Sequence, residues 1–321
     1  MHDCDNCPGK KRSRWVAPRR DVSLSGILNV DKPPDMTSHD VVDALRRVVG
    51  QRKVGHAGTL DPMATGVLLI CMGQATRVSE YLMAGRKRYR ATIILGSTTD
   101  TYDADGEVVS SDGPTEFPRE ELEAALAGFV GKIEQVPPMY SALKQDGQPL
   151  YKLARAGKTV ERLPRAVEID EIVLLDWISP ALTITVTCSP GTYVRSLAHD
   201  LGQRLGSGAH LGALVRLGSG HFRLEDALSL ERVEEAFEHG QGEALVLPPD
   251  EALLDWPAMI VSSEDARRIA QGQALRGNPP DEGGDEVALS RAYGAEGEFL
   301  AVMVYHAETG LWRPKKVFVG A

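Results

Sequence analysis

The sequence predicts an α+β fold built from one large domain and one small one. Three observations lead there. Strand-like and helix-like stretches intermix without strict β-α alternation, which argues against a doubly wound parallel sheet. The chain has 321 residues, enough for a sizeable core plus a smaller unit. Beyond Pro257 the pattern turns to two strand signals and one short helix. That is a β-rich unit of about 60 residues, near the lower limit for independent folding. The expected limits are 1–22 for a basic disordered tail, 23–256 for the large domain and 257–321 for the small one.

The elements follow in order. "SGILNVDKP" (Ser25–Pro33) reads as a strand entering a Pro-rich turn. "TSHDVVDALRRVVG" reads as a helix capped by Thr37 or Ser38, with Asp40 near the capping-box position. Val41, Leu45, Val48 and Val49 recur at helical spacing, and Gly50 stops the helix. "GVLLICMG" is a buried strand, and "ATRVSEYLMAG" a helix. "KRYRATIILG" is a long strand with Tyr89, Ala91, Ile93 and Leu95 on one face. "PREELEAALAGFVG" is a helix with Pro at its start and Glu in its first turn. "LYKLARAG" is a short helix, "AVEIDEIVLLDW" and "ALTITVTCS" are paired strands, and "SLAHDLGQRLG" is a helix. After the acidic 224–256 stretch come the helix "SSEDARRIAQG" and the strands "FLAVMVYH" and "PKKVFV".

Composition narrows the function classes. Hydrophobic content of 42% and charged content of 25% are ordinary for a soluble globular protein. No apolar run is long enough for a membrane span, and the basic N-terminus has no apolar signal core, so the expected location is cytoplasmic. Cys4 and Cys7 form a C-x-x-C without a second pair, too few ligands for a zinc site. Cys71 and Cys188 sit in apolar strands and read as core residues. There is no P-loop, no G-x-G-x-x-G after a strand, no H-E-x-x-H and no G-x-S-x-G. No cofactor is expected.

The net charge of −9 hides a strong asymmetry. Residues 1–99 carry a net +7 and 131–223 a net +3, against −8 for 100–130 and −11 for 224–321. The blocks that hold the candidate motifs are basic, and the local field governs a polyanionic partner more than the total does.

One acid stands out. "GTLDPMATG" sets Asp61 among small and turn-forming residues, just ahead of a buried strand. An Asp before Pro is ordinarily a turn residue bonding its own backbone. "KRY" adds a phenol, Tyr89, on a strand face, and "GTYVRSL" puts Tyr193 and Arg195 two apart, hence on one side of an extended segment. Spacing alone does not bring these groups together.

Five ordered motifs carry a resemblance. "NVDKP…MTSHDVV", "VGHAGTLDPMATGVL", "KRYRATIILG…TDTYDADG", "PPMYSALKQDGQPLYKLARAG" and "CSPGTYVRSLAHDLGQRLGSGAHLGALVR" together resemble the bacterial TruB-type tRNA pseudouridine synthases, from about Gly26 to Phe222. The resemblance implies the pseudouridine synthase fold: a mixed, largely antiparallel central sheet flanked by helices, with a PUA-like RNA-binding domain at the C-terminal end. It implies isomerisation of a uridine in the T-loop of tRNA, position 55, to pseudouridine. Asp61 is then the catalytic carboxylate, Tyr89 the active-site tyrosine that stacks on the target base, and Arg195 the partner of the acid. Lys32, His56, Tyr193 and Leu214 match further active-site or substrate-contact positions. The expected partner is the tRNA T-arm, with no membrane, no obligatory protein partner and a monomeric chain. Two departures stand out. Asp35 replaces the usual Gly before "MTS", a change that Asp tolerates in a left-handed turn. Val215 replaces an arginine and removes one phosphate contact.

The reaction breaks the C1′–N1 glycosidic bond, turns the uracil and forms C1′–C5. A carboxylate can serve by attacking or by deprotonating the ribose–base unit, provided it is ionised. Burial opposes ionisation, and a facing guanidinium restores it. H5 must leave afterwards, by way of Tyr89 with a lowered pKa or of water. The stacked base must first be extruded, at a cost of a few kcal/mol, and aromatic rings such as Tyr89 and Tyr193 offer stacking worth ~1–3 kcal/mol. Two other readings compete: a tRNA-folding chaperone whose catalysis is secondary, and a guide-RNA-dependent rRNA synthase.

Overall fold

A computed structural model describes residues 24–141, 143–145, 147–158, 160–278 and 287–319. The basic tail with Cys4 and Cys7 lies outside the described residues. Four strands organise the site: β1 (Gly26–Lys32), β2 (Val54–Ala57), β3 (Thr65–Met72) and β4 (Lys87–Leu95). They join one mixed sheet in the order Leu228–Ser229, β1, β3, Ala209–Ser219, β4, Ala181–Cys188, Arg165–Ile178, Gly131–Gln135. Most pairings are antiparallel. The exceptions are the pairing of β1 with Leu228–Ser229 and that of β3 with Ala209–Ser219. The sheet is therefore the mixed, largely antiparallel one expected.

The helix α1 (Ser38–Val49) starts where the sequence indicates. Thr37 caps it, the Asp40 N–H donates to Thr37 Oγ1 at 3.1 Å, and the Thr37 N–H returns to Asp40 Oδ2 at 2.8 Å. Gly50 closes it in the left-handed region (φ 73°). Its buried Val41, Val42, Leu45 and Val49 pack on Leu68, Ile70 and Met72 of β3 within the main core. The opposite face of β3, with Val67, Leu69 and Cys71, packs in a second cluster. Covering on both faces explains why β3 reads as a continuous apolar run.

Several elements differ from expectation. The stretch 73–85 is a 3₁₀ turn (Gly73–Arg77) followed by α2 (Ser79–Ala84), separated by the fully buried Val78 at φ −95°, ψ −1°. After α3 (Arg119–Ala127) and α4 (Leu150–Arg155), helix α5 runs Val194–Leu205. It begins two residues early, so Arg195 lies in its first turn and the 193–195 segment is not extended. The cause is Gln135, which accepts from the Tyr193 N–H at 3.0 Å and donates to the Tyr193 carbonyl at 3.3 Å. That clamp fixes Tyr193 as the N-cap. The central strand Ala209–Ser219 was not expected at all. Register shifts between Leu211 and Ala213 and between Arg216 and Gly218 break its alternation, so no period-2 pattern marks it in sequence.

After α6 (Leu230–Glu238), residues 258–317 form a separate five-stranded sheet with α7 (Ser263–Ala270) against it. Its strand Val287–Tyr293 had no sequence assignment. Val302 and Phe318 bring this unit onto Tyr81, Phe222 and Trp256 of the large one, and Lys316 pairs with Glu80 at 2.5 Å.

Candidate active site

The sheet forks beside Asp61. One edge of β3 pairs first with Ala209–Ser219 at Thr65 and Gly66, and then with β2 from Leu69 to Met72. The loop 58–64 leaves from this fork. Arg216, only 1% exposed, fills it. Its guanidinium donates to Val67 O at 2.6 Å, Gly58 O at 3.2 Å and Thr59 O at 3.5 Å. Val67 is fully buried, and leaving its carbonyl unpaired would cost roughly 1–3 kcal/mol. Gly66 is obligatory here: its φ is +98°, and a Cβ would lie 2.3 Å from Arg216 O.

The loop is tied on every side. Ser38 Oγ accepts from the Leu60 N–H at 2.8 Å. The buried Lys32 ammonium donates to Pro33 O, Met36 O and Pro62 O at 2.8, 2.5 and 3.0 Å. Asp31 Oδ1 accepts from the Gly66 N–H at 3.1 Å. Asp35 holds the turn beyond β1 at φ 60°, so the replacement of glycine is accommodated. Lys32 thus braces the loop with its charge spent on carbonyls, and burial pulls its pKa down to about 8.

Asp61 and Arg195 meet in a fork-to-fork pair. Nε reaches Oδ2 at 2.9 Å and Nη2 reaches Oδ1 at 3.0 Å. Arg195 also donates to Tyr140 O at 2.8 Å and meets Asp103 Oδ2 at 3.2 Å. Arg195 and Asp103 are closed off, whereas a third of the Asp61 side chain stays open. The desolvated setting pushes the Asp61 carboxyl above its ordinary value. Arg195 opposes that, while Asp103 and Asp105 add to it.

The other residues singled out from sequence surround this pair unevenly. Tyr89 sits half-buried on β4, directly opposite Val186 and Arg216. Burial raises its phenol, with the nearby Arg216 charge pulling the other way. Tyr193, half-buried, immediately precedes α5, and burial raises its phenol as well. Leu214, 7% exposed, belongs to the main core opposite Ala91. His56 lies on β2, half-buried. Its Nδ1 has no partner among the described residues, and burial, with Arg216 second, lowers its pKa.

Sequence reasoning missed Asp103 and Arg216. Asp103 lies inside "TDTYDADG", where a run of acids reads as a solvated insert. Its signal is the strained Tyr102 before it, which only a structure reveals. Arg216 follows Val215 in a stretch that reads as RNA-facing, yet it points inward. Among the described residues no cluster of His, Cys, Asp or Glu could hold a metal ion.

Comparisons with known proteins point to one family. A family model described as TruB family pseudouridylate synthase (N terminal domain) matches residues 46–194. A second, the tRNA pseudouridylate synthase B C-terminal domain, matches 195–254. The tRNA pseudouridine synthase B of Syntrophotalea carbinolica is 49% identical over 249 residues, covering 78% of this chain and 81% of that protein. The one from Cupriavidus metallidurans is 44% identical over 309 residues, covering 94% and 95%. Among solved structures, a Cbf5-Nop10-Gar1 complex contains a chain of TM-score 0.69 and 26% identity, covering 88% of this chain and 79% of that one.

Proposed function

The chain belongs to the TruB family of pseudouridylate synthases, and from that premise we propose how it turns a tRNA uridine into pseudouridine. The activity is isomerisation of uridine in tRNA, as in the relatives' shared name. The finer target we infer is uridine 55 of the T-loop, presented by the T-arm to a single chain in the cytoplasm. Among the described residues no helix is long and apolar enough to cross a membrane.

The observation that carries this reading is the two-pronged pairing of Asp61 with Arg195 at an opening. The flipped uridine brings C1′ to the open part of the Asp61 carboxylate. Arg195 fixes its rotamer and offsets the cost of keeping it charged. Asp61 attacks or deprotonates the ribose–base unit, and C1′–N1 breaks. The uracil turns against Tyr89, C1′–C5 forms, N1 gains a proton and C5 loses one. No electrons leave the uridine, so the balance closes within the substrate. With its pKa raised, Tyr89 stays a neutral stacking surface, and water takes the C5 proton. Leu214 and Tyr193 supply apolar and aromatic walls. Neutral His56 contacts the RNA beside the acid, and Lys32 holds the loop in place.

The test uses purified protein, one unmodified tRNA transcript and no guide RNA. Wild type should form pseudouridine. Asp61→Asn should bind the transcript yet form none. Turnover by Asp61→Asn, or none by wild type without a guide, contradicts the reading.

A further inference from the structure

We propose that Tyr102, stacked on His199, is a positioning residue that sets the geometry of the Asp61–Arg195–Asp103 chain. The inference deepens the isomerase reading and rests on it. Tyr102 lies at φ 66°; Asp35 is the other non-glycine residue at positive φ among those described. A left-handed conformation costs a bulky L-residue about 1–2 kcal/mol. Aspartate tolerates it through local hydrogen bonds, whereas tyrosine has no such remedy. Something outside the residue therefore holds Tyr102 there.

Two contacts do. The Tyr102 carbonyl accepts from the Leu211 N–H at 2.9 Å, pinning the turn to the central strand. The Tyr102 ring lies on the His199 ring, with centroids 3.9 Å apart and planes within 14°. His199 follows Arg195 by four residues on α5, so both emerge on one helix face. Asp103, next to Tyr102, is the residue that meets Arg195 at 3.2 Å. The turn thus grips α5 at two points one helical turn apart. A single grip would leave the helix free to roll, while two fix the direction of the guanidinium.

The rest of the turn serves the same end. Asp103 Oδ1 accepts from Thr101 Oγ1 at 2.6 Å and from the Asp105 N–H at 3.2 Å. Thr99 Oγ1 donates to Asp103 O at 2.7 Å. The free oxygen, Oδ2, is left for Arg195. Burial, with Arg162 second, lowers the pKa of His199, so the stack does not set a second cation against the arginine.

Four variants separate positioning from plain packing: Tyr102→Phe, Tyr102→Gly, His199→Ala and the double Tyr102→Gly/His199→Ala. Glycine keeps the backbone conformation without strain and removes only the ring. Three readouts are needed: single-turnover pseudouridine formation at saturating enzyme, RNA affinity, and the carboxyl titration of Asp61 by carbon-13 resonance. We expect Tyr102→Phe to match wild type. Tyr102→Gly should react ~10-fold more slowly, as a displaced reacting group does, with RNA affinity unchanged and the Asp61 titration moved. The double variant should be no slower than the slower single one. A wild-type rate and an unmoved Asp61 titration in Tyr102→Gly overturn the proposal. So does a slow rate that recovers in an assay run well below the variant's melting temperature. Wild type failing to form pseudouridine would instead sink the isomerase reading, and the titration would still judge the positioning role.

Discussion

At Asp61, burial and the neighbouring Asp103 and Asp105 act against the Arg195 guanidinium and, more weakly, Lys32, and the balance leaves the carboxyl above its ordinary value. The turnover rate should therefore fall as pH drops, with an apparent pKa above the usual aspartate range, read from a single-turnover pH profile. Asp103→Asn removes one of the raising charges and should move that limb to lower pH. Stability carries the same sign. The folded protein holds the Asp61 proton more tightly than the unfolded chain, so stability falls as pH rises from the unfolded to the folded pKa. The gap in unfolding free energy between Asp61→Asn and wild type should shift in the variant's favour across that window and then level off, as measured by denaturant titration. Arg216 makes a stability prediction. Arg216→Met strands the buried Val67 carbonyl and should cost about 1–3 kcal/mol, measured the same way. Asp61 was singled out through the five-motif resemblance, because an Asp before Pro is by itself an ordinary turn residue. Arg216 and Asp103 were not, because burial and direction are tertiary facts that a charged letter does not disclose.

The elements that carry these residues meet at close range. α5 approaches the central strand through Gly202, where a Cβ would lie 2.2 Å from the Ala209 nitrogen. Gly202→Ala should push the helix away, cost about 1–3 kcal/mol and slow turnover, because Arg195 rides on that helix. Thermal melting and single-turnover kinetics on the same variant check both parts. Helix α1 was readable to within one residue, since Thr37, Asp40 and Gly50 are local signals for local structure; of the two caps considered, Thr37 is the one used. β3 and β4 were readable from their apolar runs. The strand Ala209–Ser219 was hidden by its two bulges. The start of α5 was hidden because its cap is supplied by Gln135, 58 residues earlier in the chain.

For the whole molecule, the net −9 conceals basic blocks where the site lies. RNA affinity should fall steeply with salt, as phosphate neutralisation demands; a flat dependence measured by filter binding would count against a phosphate-dominated contact. The α+β class was legible from interleaved strand and helix signals, and the mixed, largely antiparallel sheet from the family resemblance. The meeting of residues 61, 103 and 195 was not, because it is made by topology: a fork in the sheet, a turn pinned to the central strand and a helix laid across it. The most direct measurement of the central claim maps pseudouridine in an unmodified tRNA transcript after incubation with wild type or Asp61→Asn, without guide RNA or partner proteins. The expected result is modification at a single T-loop uridine by wild type and none by the variant, with both proteins binding the transcript. Modification by Asp61→Asn, or none by wild type, would contradict it.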